Sequence, residues 1–252
     1  MNEKKLITKL LNWWNENQRK FPWRDLKEEN PWIVLGTATL LWKTKAEAVA
    51  KIYNDFFSKF PNEKTFLQSP EERIKNLIKP TGLYNRKYLM LKKLAILLDT
   101  GSFNFQDLSG FGQYIRNLGR LVLYGEDIVP IDAPVLRLLN RLCSFKIKNI
   151  RELTPSERKF LASLVRALPP TVPKKNLYWA LVDLADLICL PKKPHCERCP
   201  FKVECNFHKE KQKRNPLNKD NMERPGKKEI PRLGLTQAHD GKNYKSSPRT
   251  NG

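Results

Sequence analysis

The sequence predicts an all-α protein, on two observations. From Lys4 to Leu187 the apolar residues recur at three- and four-residue spacing, and proline and glycine cut that stretch into segments of helix length. Alternating apolar and polar runs, which a half-buried strand needs, are few. The first helix shows one apolar face through Ile7, Leu10, Leu11 and Trp14, and a later one shows the same period through Ala48, Ile52 and Phe56. Pro22, Pro31, Pro61, Pro70, Pro80, Gly82, Gly101, Gly110, Pro130, Pro155 and Pro169 mark the breaks, and no internal repeat is visible.

With 252 residues, 40% of them hydrophobic, the chain can bury a sizeable core in one or two domains. Its formal charge of +21, from 47 Lys and Arg against 26 Asp and Glu, favours a polyanionic partner, nucleic acid first. No run of 18 apolar residues occurs, so no membrane span is expected. The segment MNEKKLITKLLNWWNEN threads charges through its apolar positions, unlike an export signal, so an intracellular protein, cytoplasmic or on the nucleoid, is expected. Residues 208–252 are polar and rich in Pro, Gly and Asn, which predicts a disordered tail. That tail holds 12 Lys and Arg against 5 acids, a net +7, so +14 remains on the part before it.

Leu108-Ser109-Gly110-Phe111-Gly112 interrupts the helical pattern with two glycines in three residues, which allow a tight turn and close approach of the backbone to a ligand. A helix resumes directly after it, so free amides at the helix start are available to a phosphate; a plain helix-to-helix turn is the alternative. About twenty residues on, Asp132 sits in VPIDAPVLR, after an apolar approach and before a helix. An N-cap is the ordinary role for such a residue.

Cys189, Cys196, Cys199 and Cys205 follow the pattern C-x6-C-x2-C-x5-C, short enough for four thiolates to converge on one centre. Zinc modules more often carry two C-x2-C knuckles, and only one such pair is present, which favours a [4Fe–4S] cluster. Lys192, Lys193, His195, Arg198 and Lys202 lie among these ligands and would turn positive charge outward. The fifth cysteine, Cys143, stands among Leu138, Leu139 and Leu142 and reads as a core thiol.

LSGFG, PIDAPVLR and ICLPKKPHCERCPFKVEC, in this order and spacing, carry a family likeness. The chain resembles the helix-hairpin-helix DNA glycosylases of the endonuclease III and adenine glycosylase type from about Leu6 to Cys205. FPWR at Phe21, KIYNDFF at Lys51, GLYNRK at Gly82 and Tyr114 look most like the archaeal thymine-DNA glycosylases acting on G/T mismatches. The resemblance implies a six-helix barrel domain with the hairpin, residues 29–129, and a terminal domain of residues 1–28 and 130–207 holding a [4Fe–4S] cluster. It implies double-stranded DNA with mismatched or damaged bases as partner, handled by a monomer, with the target nucleotide flipped into a cleft.

Within that resemblance Asp132 matches the catalytic aspartate, which suits cleavage that builds positive charge on the sugar. Tyr114 stands where bifunctional members place a Schiff-base lysine, so a monofunctional enzyme is implied. Gly110 and Gly112 would grip the sugar-phosphate chain, and Tyr84, Trp42 and Lys43 would meet DNA around the everted base. Ala38, after Thr37, replaces a glutamate of the family, which counts against adenine excision because a departing purine needs a proton. The expected function is removal of thymine or uracil opposite guanine. The alternatives are an adenine glycosylase acting on A/G or A/8-oxoG pairs, and a mismatch-binding protein with impaired catalysis.

Overall fold

In a computed structural model that describes residues 2–24, 30–101, 103–148 and 153–214, every extended regular element is a helix, and no strand occurs among the described residues. The elements are α1 Glu3–Asn17, α2 Pro31–Leu41, α3 Ala46–Lys59, α4 Glu63–Leu67, α5 Glu71–Ile78, α6 Tyr84–Asp99, α7 Gln113–Tyr124, α8 Ala133–Cys143, α9 Pro155–Arg166, α10 Lys174–Leu187 and α11 Asn206–Arg214. None is long and apolar enough to cross a membrane.

Local chemistry fixes many helix starts. Asn2, Asn30, Asn62 and Asp132 each accept a first-turn amide through the side chain, and Thr154 and Glu157 form a reciprocal capping box. Pro31 and Pro155 fill first-turn positions, where a missing N–H costs nothing.

Helix α2 packs against α6 and α7, and α4 against α6. Gly119 permits the α2–α7 approach: a Cβ there would come within 2.6 Å of Leu35 Cδ2 and 2.7 Å of Phe105 Cε1. The fully buried Trp32 centres an aromatic group with Phe56 and Phe66, and its indole N–H donates to the Phe60 carbonyl at 2.9 Å. Helix α1 packs on α9 and α10, α8 packs on α10, and α10 also meets α7.

One buried carboxylate ties three segments together. Asp183 on α10, with no exposure, accepts from the Trp14 indole, from Arg19 and from both terminal nitrogens of Arg24. Those charged bonds hold its carboxyl below the usual range despite burial, which pushes the other way. The Arg24 of FPWR, stacked on Phe21 and Trp179, is therefore a buried strut.

The predicted disordered tail begins too early. Residues 208–214 continue α11, with His208 buried and Phe207 lying 4.8 Å under the Arg141 guanidinium. Lys, Glu, Gln and Arg are good helix formers even without an apolar stripe, and these two rings anchor the first turn. Residues 215–252 lie outside the described residues.

Candidate active site and nucleic-acid interface

Asp132 is the N-cap of α8, and its two oxygens are used differently. Oδ1 accepts from the Val135 amide at 2.9 Å, whereas Oδ2 accepts from the Tyr178 hydroxyl at 3.1 Å. The Tyr178 hydroxyl also lies 3.4 Å from that of Tyr114. One phenol proton cannot serve both, and the shorter contact to the charged acceptor takes it. Burial raises the Asp132 carboxyl above its ordinary range, while the Val135 and Tyr178 bonds work against that rise. Burial and the nearby carboxylate also push both tyrosines upward, so both remain phenols.

These groups face a cleft of about 910 Å³. Asp132, Tyr114 and Tyr178 line one part of it, Arg19, Trp23 and Arg24 another, and Trp42 and Lys43 a third. The cleft thus brings together four of the predicted site residues, Asp132, Tyr114, Trp42 and Lys43, from three separate stretches of chain.

Trp42 follows α2, half-buried, with Lys43 Nζ 5.2 Å and the Arg86 guanidinium 4.9 Å from its ring. Arg86 belongs to α6, so the GLYNRK segment adjoins Trp42 through that cation. Tyr84 opens α6 half-buried, packs against the core and is not among the residues lining the cleft. Just before it, Leu83 is 50% exposed with φ +49°, and Lys43 has φ +53°. Left-handed backbone at non-glycine residues is uncommon and strained, and here it occurs on two neighbouring loops.

The 108–112 hairpin follows a short 3-10 turn, Phe105–Leu108, instead of a full α-helix. Gly110 and Gly112 are exposed. Gly110 has φ +92° and needs to be glycine for the turn, whereas Gly112, the N-cap of α7, has φ −61° and open space where a Cβ would sit. No side chain caps α7, so its first amides keep their hydrogen-bonding capacity. Lys93 donates to the Ser109 carbonyl at 2.8 Å and adds positive charge beside the hairpin.

Cys189, Cys196, Cys199 and Cys205 line one common cavity with Arg141 and His208. No group of three or more His, Cys, Asp or Glu side chains among the described residues stands ready to hold a metal ion. Burial pushes the Cys199 thiol up to about 12, the Arg141 guanidinium donates to the Cys189 sulfur at 3.5 Å, and the His208 Nδ1 is buried without a partner. Lys192, Lys193, His195 and Arg198 are exposed around it, and Lys202 pairs with Glu197. Cys143 lines a neighbouring groove, half-buried, its thiol raised to about 12 by burial and by the nearby Cys205.

Residues 38–163 match the HhH-GPD superfamily of base excision DNA repair proteins, a span that contains both the hairpin and Asp132. The chain belongs to that superfamily. It is 30% identical to the thymine/uracil-DNA glycosylase of Methanothermobacter thermautotrophicus, over 81% of this chain and 94% of that one. Identity to the thymine-DNA glycosylase of Aeropyrum pernix is 28%, over 81% and 94% of the two chains. The solved structure of a thermostable thymine-DNA glycosylase superposes with a TM-score of 0.70 at 29% identity, covering 82% of this chain and 97% of that one. The all-α architecture is that of the superfamily.

Several residues of this superfamily member escaped the sequence. Tyr178 reads as core because NLYWALVDLADL is apolar at helical spacing, and its contact with Asp132 spans 46 positions. Arg86 and Leu83 lie within GLYNRK, of which the sequence singles out only Tyr84. Ala38 is fully buried on α2 and accepts the Trp42 amide at 3.1 Å; Thr37 is buried too, its hydroxyl donating to the Ile33 carbonyl at 2.6 Å.

Proposed function

We propose that the protein is a monofunctional DNA glycosylase that removes thymine or uracil opposite guanine, with Asp132 as the catalytic carboxylate. One observation carries this: Asp132 caps the helix with one oxygen, accepts Tyr178 on the other, and lines a cleft large enough for an everted nucleoside. The cap fixes the carboxylate without consuming it. As the N-glycosidic bond lengthens, positive charge grows on the sugar, and an anion held by fixed dipoles stabilises it and orients the attacking water. Tyr114 cannot form a Schiff base, so strand cleavage is not expected to accompany base removal. The Trp42–Lys43 and Leu83–Tyr84 segments would fill the space the everted nucleotide leaves, and the hairpin amides with Lys93 would hold a phosphate. Double-stranded DNA is the partner, bound by a monomer.

Adenine excision fits less well, since Ala38 offers no acid to the purine. The relatives named above support the pyrimidine choice.

The four cysteines would hold a [4Fe–4S] cluster. A tetrahedral zinc site, with Zn–S of about 2.3 Å, draws its four sulfurs together around one ion. Here all four cysteines line one cavity, and four thiolates are the ligand set a [4Fe–4S] cluster takes. The cluster would deprotonate the thiols and fasten the end of α10, the 189–205 loop and α11 to one another.

The test is excision from duplexes carrying G/T, G/U, A/G and A/8-oxoG pairs, read by alkaline cleavage. Breakage at T and U opposite G is expected; breakage confined to A would discard the assignment. Mismatch binding without abasic product at enzyme excess would favour a binding protein instead.

A further inference from the structure

Lys87, on the first turn of α6, has no exposed surface and no carboxylate among its partners. A buried cation of this kind is costly unless its protons are all received. They are. Nζ donates to the Leu40 carbonyl at 2.6 Å, to the Thr81 carbonyl at 3.0 Å and to the Thr44 hydroxyl. Thr44 in turn donates to the Thr81 carbonyl at 2.7 Å, which closes a small network. Burial brings the ammonium down to about 8, low for a lysine yet still protonated at neutral pH.

The acceptors bracket two loops. Leu40 and Thr44 flank Trp42 and Lys43, while Thr81 precedes Gly82, Leu83 and Tyr84. Each loop holds a non-glycine residue in left-handed conformation, Lys43 on one and Leu83 on the other. Such backbone persists where surrounding bonds over-determine it, and the Lys87 ammonium is the point at which both loops are tied.

We propose that Lys87 is a positioning residue that fastens the Trp42–Lys43 and Leu83–Tyr84 segments into one rigid wedge, so that opening a duplex depends on an ammonium that itself touches no DNA. The inference rests on the glycosylase assignment above. A wedge that is already ordered spends none of its binding energy on ordering when it enters the stack. Where the target base is already unstacked, the wedge has nothing to open, so the effect of Lys87 is confined to paired DNA.

The experiment compares Lys87→Met, Lys87→Arg and Thr44→Val with the unmodified protein on uracil opposite guanine in a duplex and on uracil in a single-nucleotide bulge, under single-turnover conditions. A duplex labelled with 2-aminopurine beside the G/U pair reports unstacking apart from chemistry. Lys87→Met is expected to lose at least tenfold in duplex rate and most of the fluorescence gain, with the bulge rate within about twofold of the parent. Lys87→Arg should retain most of both signals, and Thr44→Val should lose threefold or more on the duplex alone. Equal losses on duplex and bulge, or unchanged duplex rate and fluorescence, would overturn the role. Should Lys87→Met not fold, Thr44→Val decides: no duplex-specific loss there also overturns it. If the unmodified protein neither excises nor brightens, the glycosylase assignment itself fails and takes this inference with it. If it does both and the variants match it, only the positioning role falls.

Discussion

The Tyr178 hydroxyl donates to Asp132 Oδ2 at 3.1 Å, on the carboxylate oxygen that the α8 cap leaves free. The pair joins α10 to the start of α8. Two forces oppose each other at Asp132: burial raises its pKa, and the bonds from Val135 and Tyr178 restrain that rise.

A pH prediction follows from the sign of those effects. If ionised Asp132 is required, the rate of excision climbs with pH through the Asp132 pKa, and this acid limb lies above the usual aspartate value of about 3.9. Tyr178→Phe removes a bond that favours the charged form, so the limb moves further up in pH, with a smaller change on the plateau. Single-turnover rates across pH 4 to 8 measure it, and a limb that stays in place would show that Tyr178 does not govern the ionisation of Asp132.

Replacing Asp132 itself separates catalysis from capping. Asparagine caps a helix about as well as aspartate, so Asp132→Asn should shift stability by less than about 0.5 kcal/mol. Loss of the fixed charge should lower the excision rate by at least about 10²-fold while leaving affinity for a mismatch duplex intact. Thermal unfolding, a binding titration and single-turnover rates check the three parts.

How much of this was legible in the sequence depends on how local each interaction is. The helices and their caps were, because periodicity and capping act within one or two turns, and Asn30-Pro31 or Thr154-Pro155 announce a start without any tertiary partner. Asp132 offered two roles in the sequence, cap and catalyst. The structure shows the cap on one oxygen and the Tyr178 hydroxyl on the other. Tyr178 was hidden because it sits in an apolar helical run that reads as core, and Lys87 because it is one of three lysines on α6, which read as a solvated face until its partners are placed. The extension of α11 to Arg214 was missed for the opposite reason: NFHKEKQKR lacks an apolar period, and only the contacts of Phe207 and His208 anchor it.

The cysteine cavity predicts a coloured protein. Iron and acid-labile sulfide should each approach about four per chain, and Cys199→Ser should lower both, bleach the visible absorbance and bring unfolding to a lower temperature. Cys143→Ser is the internal control, since Cys143 lines a different groove, and it should keep the colour. Stoichiometric zinc in place of iron would replace the cluster with a mononuclear site.

The two hairpin glycines should behave differently, because one serves the fold and the other serves access. At Gly110 the backbone sits at φ +92°, so alanine is strained there by about 1–2 kcal/mol, and its methyl would also crowd Lys93 Nζ at 3.3 Å. Gly110→Ala should therefore lose stability and DNA affinity together. At Gly112 the backbone is ordinary and the space open. Alanine there stiffens the unfolded chain, which stabilises, and shields the cap amides from water, which destabilises, for a net change within about 0.5 kcal/mol. Its methyl would nevertheless stand between a phosphate and the first amides of α7, and a tenfold weaker affinity, about 1.4 kcal/mol, is expected for Gly112→Ala at unchanged stability. Melting temperatures and duplex affinities measured at one salt concentration decide the matter. If Gly112→Ala binds as tightly as its parent, the hairpin amides do not hold the DNA backbone, and the phosphate contacts must come from the cations around Trp42 and the cysteine loop.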